Sequence, residues 1–284
     1  MKKLCLLFLL TFSSALVSVA ADKTQIRYGT FNIRLIHPDD TKAGWGWAAR
    51  RDRVTKYILD NDLDIVGMQE VLHPALLDMQ ERMKDYDYIG VGRTDGKEEG
   101  EYSCIFYKKD RFEALDKGNF WLSETPDSAG SRGWDAALER IASWGKFKDK
   151  KTGQIFMSVN THFDHVGTEA RKQSALLIIR KIKEIVGDRP AIVTGDFNVT
   201  DKSDAYKTIT TNEFVLKDAF KISPKHTGVP YTFQSFSRTD PKDCSKIDFI
   251  FITPSITVKQ TVITPDDPSY IISDHNPFWA DIEF

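Results

Sequence analysis

The sequence is poor in cysteine and has no long apolar run after its first twenty residues. Three of 284 residues are cysteine, and Cys5 lies in the N-terminal stretch, which leaves Cys104 and Cys244 for the rest of the chain. An oxidising compartment permits these two to pair, but we expect two free, mostly buried thiols. No later segment is long and apolar enough to span a bilayer, so we expect no integral membrane segment in the mature protein.

The sequence also lacks a strong excess of either charge. Lys and Arg number 39 against 41 Asp and Glu, which gives a net charge of −2. Proteins that grip long stretches of nucleic acid through the phosphates usually carry a basic face. The near balance of basic and acidic residues argues against a protein that binds long stretches of nucleic acid. It is compatible with a local basic cleft.

The first twenty residues have the composition of a cleaved export signal. Lys2 and Lys3 precede the apolar run Leu4–Leu10, and Ser18-Val19-Ala20 supplies small residues before a cleavage point at Ala21 or Asp22. A membrane anchor or a buried helix is the alternative, but the run is too short to span a bilayer comfortably. We therefore expect residues 1–20 to be a signal peptide. Residues 21–284 would be one exported domain, a monomer located in the periplasm or secreted.

The remaining chain has no linker, repeat or low-complexity tract, and its periodicities indicate a mixed α/β domain. A clear helical pattern runs over Thr168–Val186, with Thr168 as a plausible N-cap, and another covers Ala48–Leu59. A third helix should begin near Pro74. The predicted strands are Ile26–Ile33, Asp64–Met68, Tyr102–Lys108, Ile141–Phe147, Ile155–Thr161, Ala191–Thr194, Ile247–Thr253 and Phe278–Ile282.

Polar side chains follow several of these strands directly. Asn32, Glu70 and His162 each come at the end of a strand, and Asp196 and Asn198 follow another. Strand ends that meet at one edge of a sheet are where a sheet-based enzyme usually assembles its site. We therefore expect these side chains to converge.

The residue types suit the hydrolysis of a phosphate ester. That reaction needs a hard cation, a base to orient water, an acid for the leaving oxygen and donors for the phosphoryl oxygens. Glu70 is a hard oxygen ligand, and Asp274 lies beside an imidazole at His275. Taken singly, each has an ordinary explanation, such as a helix cap or a polar turn.

The ordered combination of motifs resembles the endonuclease/exonuclease/phosphatase superfamily, which includes pancreatic-type deoxyribonucleases, abasic-site endonucleases, bacterial sphingomyelinases and deadenylases. The resemblance covers roughly residues 25–284 and implies a four-layer α/β/β/α sandwich of two mixed sheets. The motifs that carry it are Thr30-Phe31-Asn32-Ile33-Arg34, Gln69-Glu70, Asn160-Thr161-His162, Gly195-Asp196-Phe197-Asn198, Lys246-Ile247-Asp248-Phe249 and Ser273-Asp274-His275.

The resemblance also implies a metal site. Glu70 would bind a divalent cation, with Asn32 beside it holding metal or phosphate and Asp274 as a further acid near the ion. Mg²⁺ is the expected ion, with Mn²⁺ or Ca²⁺ as alternatives, because all three prefer oxygen ligands.

The same resemblance implies catalytic roles. Asp196 would orient or deprotonate the attacking water, and Asn198 would contact the phosphoryl group. His275 would face the phosphate, with Asp248 fixing its tautomer. His162 matches a histidine of the deoxyribonuclease-like branch that protonates or stabilises the leaving group.

Four further residues lie near these motifs. Glu101 lies where the deoxyribonuclease-like branch has a carboxylate partner for the histidine, and His165 is interpreted as a loop residue or as one that supports the site residues from behind. Arg34 stands where abasic-site endonucleases carry an acid, so it could grip a phosphoryl oxygen or form a surface salt bridge. Arg140 precedes a strand and could point at the substrate.

These expectations combine into a divalent-metal-dependent phosphoesterase that uses in-line attack of water on a phosphomonoester or phosphodiester. The alternative is a secreted nuclease acting on DNA or RNA, since a nuclease needs only a few phosphate contacts. A phosphate ester is thus the expected partner, and nucleic acid is one candidate substrate.

Overall fold

The computed structural model describes residues 23–211, 214 and 216–284. The predicted signal peptide, residues 1–20, lies outside the described residues. Within them, no helix is long and apolar enough to cross a bilayer. Cys104 is a buried free thiol and Cys244 a partly buried one, so the expectation of two free thiols is confirmed.

The described residues form thirteen strands and six helices. The strands are β1 (Gln25–Asn32), β2 (Ile65–Val71), β3 (Tyr86–Ile89), β4 (Tyr102–Lys108), β5 (Phe112–Trp121), β6 (Ile141–Asp149), β7 (Ile155–His162), β8 (Ala191–Asp196), β9 (Lys217–Asp218), β10 (His226–Gly228), β11 (Asp248–Ile252), β12 (Thr257–Ile263) and β13 (Phe278–Glu283). The helices are α1 (Pro38–Lys42), α2 (Trp47–Asp60), α3 (His73–Arg82), α4 (Thr168–Val186), α5 (Asp204–Thr211) and α6 (Ala219–Ile222).

The strands make two mixed sheets that pack face to face. The first sheet has the order β10-β12-β13-β1-β2-β4-β3, and the second has the order β5-β6-β7-β8-β11-β9. In the first, β1 runs parallel to β2 and antiparallel to β13; in the second, β7 runs parallel to β8. Three apolar clusters separate the layers, because α2 and α3 pack on the first sheet and α4 and α5 on the second. The predicted four-layer sandwich is confirmed.

The helix α4 spans the predicted range, but its N-terminal capping differs from the sequence expectation. The N-cap residue is Gly167 rather than Thr168. A carboxylate from a neighbouring loop replaces the cap, since Asp135 accepts hydrogen bonds from the amides of Glu169 (3.3 Å) and Ala170 (2.6 Å). Capping rules consider only residues near the start of the helix, so they do not predict that these amides donate to a residue distant in sequence.

Along the strands, the side chains between the two sheets change from apolar to polar towards one edge. The inward-facing residues of β1 begin with Ile26 and Tyr28 and end with Thr30 and Asn32. The other central strands follow the same progression, namely Ile65-Gly67-Gln69 in β2, Phe156-Ser158-Asn160-His162 in β7, Ile192-Thr194-Asp196 in β8 and, in reverse, Ile252-Ile250-Asp248 in β11. Functional side chains are therefore delivered to one edge of the sandwich.

Candidate active site

The polar strand ends open into one cavity of about 550 Å³ at this edge. Two of the predicted site residues, Asn32 and Asp248, lie behind its wall, each hydrogen-bonded to a residue that lines it. The predicted residues that line it directly are Arg34, Glu70, Glu101, Arg140, His162, Asp196, Asn198, Asp274 and His275. The expected convergence of the sequence motifs is thus observed.

Asn32 joins the halves of the site that come from different sheets. Its amide nitrogen donates to Glu70 Oε1 at 3.0 Å and to Asp196 Oδ2 at 3.0 Å. The other oxygen of Glu70 accepts from the Leu35 amide at 2.9 Å. Glu70 itself has a φ of 61°, beside an irregularity in the pairing of β2 with β4. This left-handed backbone turns the carboxylate out of the strand and towards the cavity.

The carboxylates of Glu70 and Asp274 form a pair that suits a hard cation. Burial raises the pKa of Asp274, and the negative charge of Glu70 raises it further, against the opposing effect of the His275 cation. A divalent ion bound beside these two carboxylates would stabilise both negative charges. Oxygen donors alone are what Mg²⁺, Mn²⁺ and Ca²⁺ prefer. The residues present therefore fit the implied metal.

A second group of buried side chains forms a chain through His275. Its Nδ1 lies 2.9 Å from Asp248 Oδ2, and its Nε2 lies 3.7 Å from Asp196 Oδ2. Burial alone would lower the pKa of His275, but the charges of Asp248, Asp196 and Asp274 outweigh it and raise the pKa to about 10. Potential ligand atoms of Asp196, Asp248 and His275 lie within 4.8 Å of one another. Because coordination through Nδ1 would break the bond to Asp248, we assign this group to proton chemistry.

His162 faces the same space from β7. Its Nε2 accepts a hydrogen bond from the side-chain amide nitrogen of Asn198 at 3.0 Å and lies 3.5 Å from Asp196 Oδ2. Its Nδ1 therefore carries the proton and points towards Glu101 Oε2, 3.6 Å away. Burial opposes ionisation of Glu101, yet the neighbouring His162 ring and the charge of Arg93 lower its pKa to about 2. Glu101 is thus a lasting negative charge behind His162.

Arg34 forms an ion pair and also faces the acids of the cavity. Its Nε donates to Asp40 Oδ2 at 2.9 Å, while its Nη1 lies 3.9 Å from Asp274 Oδ2. The salt bridge foreseen from the sequence exists, but it holds the guanidinium in the cavity wall rather than on the open surface.

Arg140 also reaches the cavity, as its position before β6 suggested. The residue is 4% exposed, and its Nη2 donates to Nδ1 of His165 at 3.1 Å. His165, which we interpreted as a loop residue, therefore also belongs to the cavity lining.

The segment Phe233–Arg238 was not identified from the sequence, although most of it lines the cavity. Three successive residues, Ser235, Phe236 and Ser237, have φ values of 54°, 59° and 59°. The amides of Gln234 and Ser235 both donate to the Asp274 carbonyl, at 3.0 and 3.1 Å. No glycine or asparagine marks this left-handed turn, so local sequence rules give no signal for it.

Two tryptophans, Trp45 and Trp134, do not line the cavity. Trp45 stacks on Phe236 with ring centroids 5.0 Å apart, so it supports the cavity wall from behind. Trp134 packs against the apolar cluster between the second sheet and its helices, which makes it a loop anchor.

Comparison with known proteins agrees with this geometry. The model of the Endonuclease/Exonuclease/phosphatase family matches residues 29–275. A crystal structure of an endonuclease/exonuclease/phosphatase from Bacteroides vulgatus is 61% identical, with a TM-score of 0.91 over 92% of this chain and 100% of that one. A mannosyl-6-phosphatase from Bacteroides thetaiotaomicron is 40% identical, with a TM-score of 0.85 over 91% of this chain and 100% of that one.

A more distant relative differs in size. The 3'-5'-exoribonuclease subunit of the CCR4-Not complex from Saccharomyces cerevisiae is 21% identical over 84% of this chain, which spans 35% of that protein's length. The family match covers most of the chain and contains the site motifs from Asn32 to His275. The chain therefore belongs to the endonuclease/exonuclease/phosphatase family.

Proposed function

We propose that this protein is a divalent-metal-dependent phosphoesterase that cleaves a small phosphate ester by in-line attack of water. The observation that carries the proposal is the meeting of two groups in one cavity. The acid pair Glu70 and Asp274 faces the Asp248–His275–Asp196 chain, and Asn32 bridges Glu70 and Asp196. Hydrolysis of phosphate esters needs both a charge-neutralising centre and proton-transfer groups around one phosphorus atom.

Glu70 and Asp274 are the residues that would hold the cation, with Asn32 fixing Glu70 in place. When bound, the ion neutralises charge on the phosphoryl oxygens, and Mg²⁺ is the expected species, with Mn²⁺ or Ca²⁺ as alternatives.

Asp196 is placed to orient the attacking water. Its Oδ1 accepts a hydrogen bond from the backbone amide of Asn198 at 2.9 Å, and its Oδ2 accepts one from the Asn32 side chain at 3.0 Å. Both oxygens are therefore fixed. It lies between the imidazoles of His162 and His275, at 3.5 and 3.7 Å. A rigid carboxylate beside two imidazoles that can exchange protons suits a general base.

The two histidines have separate tasks. His275, held by Asp248, keeps its Nε2 proton and donates it to a phosphoryl oxygen, where it stabilises the growing negative charge. His162, backed by Glu101, supplies the leaving oxygen with a proton in its doubly protonated form, in which Nε2 donates instead of accepting from the Asn198 side chain.

A nuclease remains the second candidate. His162 with Glu101 repeats the pair found in the deoxyribonuclease-like branch, and one relative is an exoribonuclease subunit. The much greater identity to a mannosyl-6-phosphatase supports a small phosphorylated substrate instead. The N-terminal composition supports export to the periplasm or beyond it.

Phosphate release from sugar phosphates, nucleotides and inositol phosphates, measured beside cleavage of plasmid DNA and RNA, tests the proposal. We expect turnover of small esters that stops in EDTA and returns with Mg²⁺, Mn²⁺ or Ca²⁺. Turnover that survives complete chelation would overturn the metal dependence, and cleavage of nucleic acid alone would favour the nuclease.

The substitution His275→Ala should lower kcat/KM about a thousandfold, because it removes the charged donor beside the phosphoryl group. His226→Ala is the matched control, since His226 contacts Thr261 at 2.8 Å outside the cavity. Equal activity of the two variants would contradict the role of His275.

A further inference from the structure

The guanidinium of Arg140 is buried in the cavity wall with part of its hydrogen-bonding capacity unused. Its Nε and Nη1 atoms have no hydrogen-bond partner among the described residues. The remaining nitrogen donates to Nδ1 of His165, which is a neutral acceptor. Buried cations in folded proteins are normally paired and fully hydrogen-bonded, so this arrangement needs an explanation.

The carboxylate of Asp164, which lies close to Arg140, already accepts hydrogen bonds from backbone amides. Asp164 Oδ2 lies 3.5 Å from the Arg140 Nε and accepts from the Leu138 amide at 3.2 Å. Its Oδ1 accepts from the amides of Val166 and Gly167 at 2.9 and 2.7 Å. Asp164 thus folds the loop after β7 and leaves N–H groups of Arg140 available to a ligand.

The neighbouring cation, Arg93, is hydrogen-bonded to a carboxylate. Arg93 donates to Glu101 Oε2 at 2.8 Å, so its charge is paired with the acid behind His162. Glu101 is therefore shared by Arg93 and His162, and both Glu101 and His162 line the cavity. Arg93 also has one nitrogen, Nε, without a hydrogen-bond partner among the described residues, but it does not line the cavity, whereas Arg140 lines the cavity and has two such nitrogens.

A buried cation with incomplete hydrogen bonds favours the ligand with the larger negative charge. Burying a guanidinium without partners costs free energy, and an anion that completes its hydrogen bonds recovers that cost. A phosphomonoester carries a charge of about −2 above its second pKa of about 6, whereas a diester carries a single charge. The monoester also has three terminal oxygens, one more than the diester.

We propose that Arg140, held in place by His165, selects phosphomonoesters over phosphodiesters by binding the additional terminal oxygen of the monoester dianion. This inference rests on the proposed phosphoesterase function and names its substrate class. Arg140 is a substrate-binding residue in this scheme, and His165 is a positioning residue that acts through it.

The test compares p-nitrophenyl phosphate with bis-p-nitrophenyl phosphate at about pH 8, where the monoester is a dianion. We expect the unmodified protein to prefer the monoester. Arg140→Ala should lower kcat/KM for the monoester about 10- to 100-fold, because charged hydrogen bonds are lost, and change that for the diester less than about threefold. Arg140→Lys should recover part of the preference, since it restores the charge but not the planar fork.

Arg171→Ala provides the matched control. Arg171 donates to the Asp164 carbonyl at 3.0 Å, so it contacts the same loop without lining the cavity. Its removal should leave the ratio of monoesterase to diesterase activity unchanged.

His165→Ala keeps the test open if the buried arginine cannot be replaced without misfolding. The His165 side chain is 52% exposed, so the variant should fold, and loss of its acceptor should lower monoester turnover about threefold to tenfold. As a readout without turnover, inorganic phosphate should raise the Tm of the unmodified protein more than that of the Arg140 variants.

The possible outcomes distinguish a failure of the role proposed for Arg140 from a failure of the proposed phosphoesterase function. A parallel decrease for monoester and diester in Arg140→Ala, or a diester preference in the unmodified protein, would overturn the role of Arg140 and leave the phosphoesterase intact. Absence of metal-dependent turnover of both esters in the unmodified protein would instead overturn the proposed function.

Discussion

The space between the two sheets has a polar end near the cavity and an apolar end opposite. At the apolar end, Phe147 packs against the rings of Tyr107, Phe112 and Phe156, with centroids 4.8 to 6.3 Å apart. At the polar end, Asn160 is completely buried yet makes hydrogen bonds to several groups of both sheets. The two ends are continuous, so the contrast lies in chemistry and not in burial.

Asn160 is the centre of the polar end. Its amide donates to the carbonyls of Met68 and Cys104, both at 2.9 Å, and its oxygen accepts from Gln69 at 2.6 Å and Thr194 at 3.2 Å. A Cβ at Gly67 would come within 2.4 Å of the Asn160 Oδ1. Hydrogen bonds are directional and apolar contacts are not. The apolar end should therefore supply stability, while the polar end fixes how Glu70 and Asp196 face each other.

Phe147→Ala should produce the largest loss of stability. Truncation of a fully buried ring leaves a cavity and costs about 3–5 kcal/mol of the free energy of unfolding. Urea denaturation would measure this loss, and kcat of the folded protein should stay within about twofold. A large fall in kcat without a loss of stability would remove the distinction between the two ends.

Asn160→Leu should have a smaller effect on stability and a larger one on catalysis. Loss of the buried amide leaves the carbonyls of Met68 and Cys104 without that donor, at a cost of about 1–3 kcal/mol. Because the hydrogen bonds from Asn160 to the first sheet are lost, the two sheets no longer hold the site residues in a fixed relative position, and kcat should fall about tenfold or more. Steady-state kinetics on protein shown to be folded by circular dichroism would check this, and an unchanged kcat would assign Asn160 to stability alone.

Ile192→Val should give the smallest change. Ile192 lies at the start of β8, four positions before Asp196, and is completely buried. Loss of one methylene group costs about 0.5–1.5 kcal/mol. A lowered Tm with unchanged kcat and KM is expected, whereas altered kinetics would show that the apolar end also influences the site.

The sequence predicted the elements in which periodicity and burial coincide. Strand β7 and helix α4 were located because their apolar residues recur at the spacing of a buried face. Strand β5 was missed because it is an edge strand whose central residues are mostly exposed, which weakens the alternation. Polar residues at strand ends predicted the convergence of the site, since the C-terminal ends of parallel neighbours meet at one edge.

Features that depend on distant contacts were not predictable in the same way. The left-handed turn at Ser235–Ser237 is held by the Asp274 carbonyl and by the Gln234 side chain, which the local sequence does not reveal. The incomplete hydrogen bonding of Arg140 depends on Asp164, a residue 24 positions away whose carboxylate already accepts from the amides of Leu138, Val166 and Gly167. Sequence order identifies which residues meet, but their hydrogen-bond partners emerge only from the folded chain.

The pairing of β1 with β13 has a consequence for synthesis. These adjacent central strands are among the first and the last elements of the chain, with Gln25 and Glu283 hydrogen-bonded across a separation of 258 positions. During translation, Asn32 leaves the ribosome long before the strand that completes its sheet exists. A nascent chain must therefore keep β1 unpaired on that side until β13 has been made, which leaves a strand edge open to incorrect pairing during synthesis.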